Sequence, residues 1–231
     1  MYDTKADFDA AYEFRVERYL GGHPNTRPEV IVHYHKKFMA SILSNMWATL
    51  QPILQIGSTE QVCVFGAGFG WGVEAITAET GATVVGIDIS QYIADEQGTT
   101  EEAEIRAEIA AVGLDPDGVR GQEIITFLEG TTPRANVIVL QNDASTGPQR
   151  NEIRTALGGN NPSVCIAEDL IDDTWTDTDV ENLRNAMNGF GGPQRLIFIY
   201  RATPTRSHQN LFDLLPGTKE VISPDGSVYL S

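Results

Sequence analysis

The chain has 231 residues, of which 41% are hydrophobic and 8% aromatic, and this composition excludes an intrinsically disordered protein. Its 32 acidic and 16 basic residues give a formal net charge of −16, which repels phosphate backbones and disfavours a nucleic-acid partner. No apolar run is long enough to cross a bilayer, and the start of the chain is too polar for a signal peptide. We therefore expect a cytoplasmic protein without a membrane partner.

The N-terminal part of the chain predicts helices. Apolar residues recur at three- and four-residue steps from Phe8 to Tyr19 and indicate a first helix. A second, longer helix is predicted from Pro28, a residue suited to a first helical position, to just before Pro52. We expect residues 1–55 to form a helical segment that packs on or caps the core.

From residue 61 the pattern alternates between strands and helices, which predicts one α/β domain over residues 56–231. Strands are predicted at 61–65, 83–87, 135–140, 163–167 and 195–201. Helices are predicted at 73–80, 99–113 and 149–157, and another is opened by the capping-box spacing of Thr178 and Glu181. Such alternation implies a parallel sheet with right-handed crossovers.

The last segment differs from the alternating part. Two short β-rich runs, 219–222 and 227–230, flank Ser223-Pro224-Asp225-Gly226, which is a strong turn signal. The sequence thus predicts an α/β, doubly wound, mostly parallel seven-stranded sheet with a C-terminal antiparallel hairpin.

The two cysteines, Cys63 and Cys165, each lie inside an apolar run. They are predicted to be buried strand residues in a reducing compartment, and they could be near neighbours in the sheet. Their number and spacing give neither a disulfide framework nor a metal site.

A glycine loop, Gly66-Ala67-Gly68-Phe69-Gly70, connects the first predicted strand to the helix after it. Such a loop turns sharply and lets backbone approach a ligand where Cβ atoms would block it. Asp88 ends the next strand about 20 residues further on, where an acid can accept bonds from both ribose hydroxyls. Asp143 follows the third strand. Because ligands of such sheets lie outside the carboxyl ends of the strands, the three elements predict one nucleoside site.

At these positions the chain resembles the class I, Rossmann-like S-adenosylmethionine-dependent methyltransferases. The resemblance covers roughly residues 40–231 and rests on four segments: Val62 to Gly70, Val85 to Ser90, Gln141 to Ala144, and Ala167 to Leu170. The last two are similar to the adenine-side motif and the fourth motif of the family. The resemblance implies that the protein is a methyltransferase with S-adenosyl-L-methionine as its cofactor.

The resemblance also implies roles for individual residues. The loop residues Gly66, Ala67, Gly68 and Gly70 would line the methionine side of the cofactor. Asp88 would bind the ribose and Ile89 would pack on the adenine, while Asp143, with Ala144 beside it, would accept from the adenine amino group.

One position departs from the family pattern. The family usually has an acid two residues before the first glycine, and Val64 stands there in this chain. Either other groups hold the methionine moiety, or binding of the cofactor is weakened or lost.

Candidate catalytic residues follow the fourth predicted strand. Glu168 is the best-placed general base for a hydroxyl or amine acceptor, with Asp169 next, and either can equally be a helix cap or a cofactor contact. No Asn-Pro-Pro-aromatic or Asp-Pro-Pro-Tyr motif follows that strand, which leaves a small molecule or a protein side chain as the acceptor.

Two other functions stay open. A non-catalytic relative that serves as a binding or assembly module is compatible with Val64 and with the uncertain base. A nicotinamide-dependent oxidoreductase is disfavoured, since Trp71 occupies the position of the third glycine in a dinucleotide fingerprint and no Tyr-x-x-x-Lys set is present.

Overall fold

The computed structural model describes residues 41–90, 101–129, 137–170, 175–191, 194–200, 218–223 and 226–230, together with positions 4, 6, 7, 10 and 93. The helix predicted from Phe8 to Tyr19, apart from position 10, and residues 28–40 of the second predicted helix lie outside the described residues.

Helices and strands alternate along most of the described chain. The helices are α1 (Ile42–Asn45), α2 (Trp47–Leu54), α3 (Trp71–Thr80), α4 (Glu101–Ala111), α5 (Val119–Glu129), α6 (Gly147–Ala156) and α7 (Asp177–Asn188). The strands are β1 (Gln61–Phe65), β2 (Thr83–Asp88), β3 (Val139–Gln141), β4 (Val164–Glu168), β5 (Arg195–Tyr200), β6 (Thr218–Ser223) and β7 (Gly226–Leu230). Within these ranges, no helix combines the length and the apolar content that crossing a bilayer requires.

The strands form one sheet in the order β3-β2-β1-β4-β5-β7-β6. Strands β1 to β5 pair in parallel, whereas β7 pairs antiparallel with both β5 and β6. The prediction of an α/β fold with a mostly parallel sheet is confirmed. In the central strands Phe65 lies opposite both Ile87 and Ala167, so the loops after β1, β2 and β4 leave the sheet at the same level.

Alternation along the strands gives the sheet two apolar faces. On the α6–α7 face, helix residues Ile153, Val180, Leu183 and Met187 belong to one buried cluster with strand residues Cys63, Phe65 and Cys165. On the α1–α3 face, helix residues Leu43, Leu50, Leu54 and Ile76 belong to another with Val62, Val64 and Ile166. Helices therefore cover both faces, as in a doubly wound fold.

The second predicted helix differs from the structure in its described part. The chain breaks at Met46 into α1 and α2, and α2 runs through Pro52 to Leu54 instead of ending before the proline. Proline removes one helical hydrogen bond, but buried Leu50 and Leu54 hold this short helix on the sheet, so packing outweighs the loss. Thr49, which follows the break, is exposed.

Two further differences concern helices. The capping box of α7 is formed by Thr176 and Asp179, not by Thr178 and Glu181. Helix α5 is additional to the elements predicted from the sequence, and it contains Gly121 although glycine weakens a helix interior. The backbone of Asp115 and Pro116 passes so close to Gly121 that no side chain would fit there.

Strand β3 is shorter than predicted, since it begins at Val139 and residues 135–136 lie outside the described part. The backbone oxygen of Ile138, just before the strand, accepts from the N–H of Gly86 in β2. Helices α4 and α5 contact each other and have a small apolar cluster of their own, formed by Ile105, Ile109, Ile124 and Ile125.

The buried cysteines give a test of the fold. Cys63 and Cys165 lie opposite each other on β1 and β4 as free, buried thiols. Burial raises the pKa of both thiols, and Cys165 adds to the rise at Cys63.

Because the thiolate is the nucleophile, neither thiol should react with an aromatic disulfide reagent at mildly alkaline pH until the protein is unfolded by denaturant. Absorbance of the released thiolate should then report both cysteines, and rapid reaction of the native protein would contradict the central position of β1 and β4.

Candidate functional site

The loops after β1, β2, β3 and β4 surround a cavity of about 460 Å³ at the carboxyl ends of the strands. One wall contains four of the residues that the sequence singled out: Gly66, Asp88, Ile89 and Asp143. A second wall comes from the segment after β4 and from α7, and it includes Leu170, Trp175, Asn182 and Leu183. The sequence predicts that the glycine loop, Asp88 and Asp143 meet at one site, and Gly66, Asp88 and Asp143 line the same cavity.

The glycines of the loop serve different purposes. All three have positive φ angles, 71° at Gly66, 54° at Gly68 and 87° at Gly70. A Cβ on Gly66 would lie 2.5 Å from Cδ2 of Leu170, so this glycine makes room for a packed side chain. Gly68 has no atom within 4 Å of its Cβ position, so the loop backbone there faces open space. Of these glycines, Gly68 is the one that leaves room for a ligand.

Asp88 joins the glycine loop to the end of β2. Its Oδ2 accepts a hydrogen bond from the backbone N–H of Gly68 at 3.1 Å, and its Oδ1 accepts one from the N–H of Ser90 at 2.8 Å. Burial raises the pKa of this carboxyl, and the backbone N–H groups of Ser90, Gly68 and Ile89 oppose that rise. Each carboxylate oxygen has more than one lone pair, so the clamped carboxylate retains the capacity to accept from ligand hydroxyls.

Ile89, the next residue, has 46% of its surface exposed although it is a large apolar side chain. It lies in the wall of the cavity beside Asp88. An exposed aliphatic side chain next to a clamped carboxylate provides a surface for the flat apolar part of a ligand.

The loop after β3 is fixed by its own polar side chains. Asn142 is buried, donates to the backbone oxygen of Gln149 at 3.1 Å, and accepts from the N–H of Ala144 at 2.7 Å. The exposed Asp143 uses Oδ1 to accept from both the N–H and the hydroxyl of Ser145, at 2.8 and 2.7 Å. These bonds hold the Asp143 carboxylate at the wall of the cavity.

Arg150 connects the two walls, and none of the sequence motifs includes it. Its guanidinium donates to the backbone oxygens of Ala144 and Ser145 in the β3–α6 loop, at 3.1 and 2.8 Å. It also donates to the backbone oxygen of Gly189, at the end of α7, at 2.8 Å. No local sequence pattern reports bonds of this kind, because their acceptors are main-chain atoms brought together only by the fold.

Glu168 lies at the end of β4 and is only 2% exposed. Its Oε1 accepts from the hydroxyl of Ser41 and from the backbone N–H of Leu43, both at 2.8 Å. A Cβ on Gly72, in the first turn of α3, would lie 2.9 Å from its Oε2. The carboxylate thus lies beside the first turns of α1 and α3, where backbone N–H groups favour a negative charge.

Asp169 is half-buried and has a φ of 51°, which is uncommon for a residue other than glycine. Its N–H donates to the backbone oxygen of Ile199 at 2.8 Å. This bond connects the start of the β4–α7 segment to β5.

Val64 is fully buried on the α1–α3 face, opposite Gly86 and Ile166. The cavity opens on the other side, since Phe65 and Leu183 of the α6–α7 cluster line it. Among the buried residues that the structure describes, Glu168 is the one with a charged side chain, and it shares the face of Val64.

The remaining sequence-predicted residues lie outside the wall. Gly68 and Gly70 belong to the loop, and Gly70 is the N-cap of α3. Ala67 packs against Gly86 in the α1–α3 cluster, and Ala144 is buried in the α6–α7 cluster. Glu168 and Asp169 adjoin Leu170 in the chain but are not among the residues that line the cavity.

No family model matches the chain, and no curated protein is similar to it in sequence. Solved structures do resemble it. An rRNA methyltransferase, aviRa from Streptomyces viridochromogenes, superposes with a TM-score of 0.50 at 11% identity, over 82% of this chain and 82% of that chain.

Two other structures are similar at slightly lower scores. Magnesium protoporphyrin IX methyltransferase from Synechocystis PCC 6803, solved with bound SAM, covers 100% of this chain and 96% of its own, at 11% identity and a TM-score of 0.48. A SAM dependent methyltransferase from Aquifex aeolicus covers 81% and 89%, at 12% identity and a TM-score of 0.48.

Sequence identities of 11–12% are informative about the fold alone. That fold agrees with the resemblance of the glycine loop, Asp88 and Asp143 to the methyltransferase motifs. The chain has the Rossmann-like fold of the class I S-adenosylmethionine-dependent methyltransferases.

Proposed function

We propose that the protein is an S-adenosylmethionine-dependent methyltransferase that methylates an oxygen or nitrogen of a small molecule or a protein side chain. The observation that carries the proposal is the Asp88 carboxylate, clamped by the N–H groups of Gly68 and Ser90 at the edge of a cavity. The seven-stranded sheet with its antiparallel β6–β7 pair supports the same assignment.

The residues present fit the cofactor. Asp88 would accept from the ribose hydroxyls, and Ile89 and Asp143 would contact the adenine, because all three lie in the wall of one cavity. The open space beside Gly68 would admit the methionine end. When bound, the cofactor supplies an electrophilic methyl group on a sulfonium. The protein has to orient the acceptor and exclude water, and such orientation is worth about 7–11 kcal/mol of the barrier.

Different observations support the roles that we propose for Glu168 and Asp169. The two bonds of Glu168 to Ser41 and Leu43 support an anchoring role, in which it holds the first turn of α1 on the core. Asp169 has a strained backbone immediately before Leu170, which lines the cavity. Strain of this kind is often found at functional positions, so we propose Asp169 as the general base, a role worth about 10²–10⁴-fold in rate.

The net charge of the chain guides the class of methyl acceptor that we propose. One structural neighbour is named as an rRNA methyltransferase, but a net charge of −16 opposes approach to a polyanion. A small-molecule or protein acceptor fits this charge, as does a cytoplasmic location.

A non-catalytic module that binds the cofactor is the second candidate function. It is favoured by Val64, which is packed in the core where the family usually has an acid. Turnover with a panel of small-molecule and protein acceptors separates the two, because a module would bind the cofactor and release no demethylated product.

Replacing Asp88 tests the proposed ribose contact. We expect Asp88→Ala to weaken binding of S-adenosylhomocysteine by about 10- to 150-fold, since hydrogen bonds to a charged acceptor contribute about 1.5–3 kcal/mol. Isothermal titration calorimetry measures the affinity, and thermal unfolding checks that the variant is folded. Asp117→Ala removes an exposed carboxylate that accepts from Arg106 and serves as the matched control. Wild-type affinity in Asp88→Ala would refute the assignment.

The raised pKa of Asp88 predicts how affinity depends on pH. The ionised carboxylate is the better acceptor, so affinity should be full above this pKa and should fall as pH drops through it, by up to about tenfold per pH unit. Because burial raises the pKa, the fall should begin at a higher pH than for an ordinary aspartate. Calorimetry from neutral to mildly acidic pH measures it. Asp88→Asn should lose this dependence, and an unchanged profile in that variant would assign the titration to another group.

Glu168→Ala and Glu168→Gln distinguish anchoring from general-base catalysis. Removing the acceptor leaves the buried N–H of Leu43 unpaired, so Glu168→Ala should lower the free energy of unfolding by about 1–3 kcal/mol. Glu168→Gln keeps an oxygen acceptor and should lose less. Urea unfolding measures both. A Gln variant of wild-type stability with methyl transfer reduced about 10²-fold or more would instead make Glu168 the base.

A further inference from the structure

Helix α7 lines the same cavity as Asp88 and Asp143, and the roles proposed for the glycine loop and the acids do not explain this contribution. Asn182, Leu183 and Ala186 line the cavity from positions three and four residues apart, which places them on one side of the helix. Leu183 also belongs to the core cluster, so this side of α7 lies where the core meets the cavity.

Trp175 precedes α7 and is held by the way the helix begins. The N-cap is Thr176, and Trp175 packs against the cluster that contains Val180. An apolar residue before the N-cap that packs near the fourth helical residue is a hydrophobic staple, which fixes the entry of the chain into the helix. The half-buried indole is therefore held in place where it lines the cavity.

The chemistry of this wall suits a purine. Indole and aliphatic side chains stack on the face of a nucleobase, and the asparagine amide has a donor and an acceptor side by side that match N6 and N7 of adenine. The wall lines the same cavity as Asp88, Ile89 and Asp143, the residues assigned to the nucleoside, whereas Gly66 is the one residue of the glycine triplet that lines it. We therefore assign the wall to the nucleoside end of the site.

Arg150 fixes the spacing of the two walls. It bonds to Ala144 and Ser145 next to Asp143 on one side and to Gly189 at the end of α7 on the other. A planar cation that bonds to both segments holds them at a constant separation.

We propose that Trp175 and Asn182 form the purine-recognition wall of the cofactor site, with Trp175 stacking on the base and Asn182 selecting adenine by its donor-acceptor edge. The inference rests on the proposed function and adds the residues that determine nucleobase specificity.

Tryptophan fluorescence tests the stacking. The chain has three tryptophans, and the other two, Trp47 and Trp71, are 9% and 5% exposed. S-adenosylhomocysteine should quench the emission of the wild type. Trp175→Phe should abolish the quenching while retaining affinity, because phenylalanine still stacks. Trp175→Ala should weaken binding by about 5- to 150-fold. Quenching that persists in Trp175→Phe would overturn the stacking role.

Nucleobase preference tests Asn182. The wild type should prefer S-adenosylhomocysteine to S-inosylhomocysteine, and Asn182→Ala should reduce that preference by about 5- to 150-fold. Asn185→Ala, on the same helix with an exposed side chain outside the wall, is the matched control. An unchanged preference in Asn182→Ala, with the wild type binding normally, would overturn the inference and leave the proposed function standing. If the wild type binds neither compound, both are overturned.

Discussion

The carboxyl ends of the central strands are held at one level by the register of the parallel sheet. Phe65 is the partner of both Ile87 and Ala167, so β1, β2 and β4 end within one residue of the same level at this edge of the sheet. The bonds from Gly68 and Ser90 to Asp88 then join the loops after β1 and β2. A shift of one residue in the register would turn every side chain to the other face and separate the carboxylate from the loop that clamps it.

The two faces of the sheet have different tasks. On the α1–α3 face, Glu168 holds the first turn of α1, and Val64 is packed where the family usually has an acid. On the α6–α7 face, the strand ends and α7 line the cavity, and Arg150 bonds α7 to the loop after β3. The single buried charge in the described part of the chain thus serves to attach helices, and the nucleoside end of the site is built on the opposite side.

Much of this architecture follows from local sequence signals. Strand β1 has the bounds that alternation and the glycine loop predicted, and Gly66, Asp88, Ile89 and Asp143 converge as expected, because turns and strand ends are determined by nearby residues. Features determined by distant contacts were missed.

Pro52 stays inside α2 because the sheet holds that helix, and Gly121 stays inside α5 because another segment of backbone passes against it. The role of α7 in the cavity wall and the bonds of Arg150 depend on segments that are far apart in the sequence. Periodicity reports which side of a helix is apolar, but it does not report which neighbour that side meets.

The isoleucine cluster of α4 and α5 has a consequence for how this chain can change. Its four members contact one another, and the described part of the sheet contributes none of them. None of the residues that line the cavity belongs to this cluster, so substitutions within it should have energies that add to those at the site and should affect nucleoside binding little. Between β2 and β3, Ile89 and Ser90 serve the site, whereas the α4–α5 pair is the part that can diverge, lengthen or be exchanged.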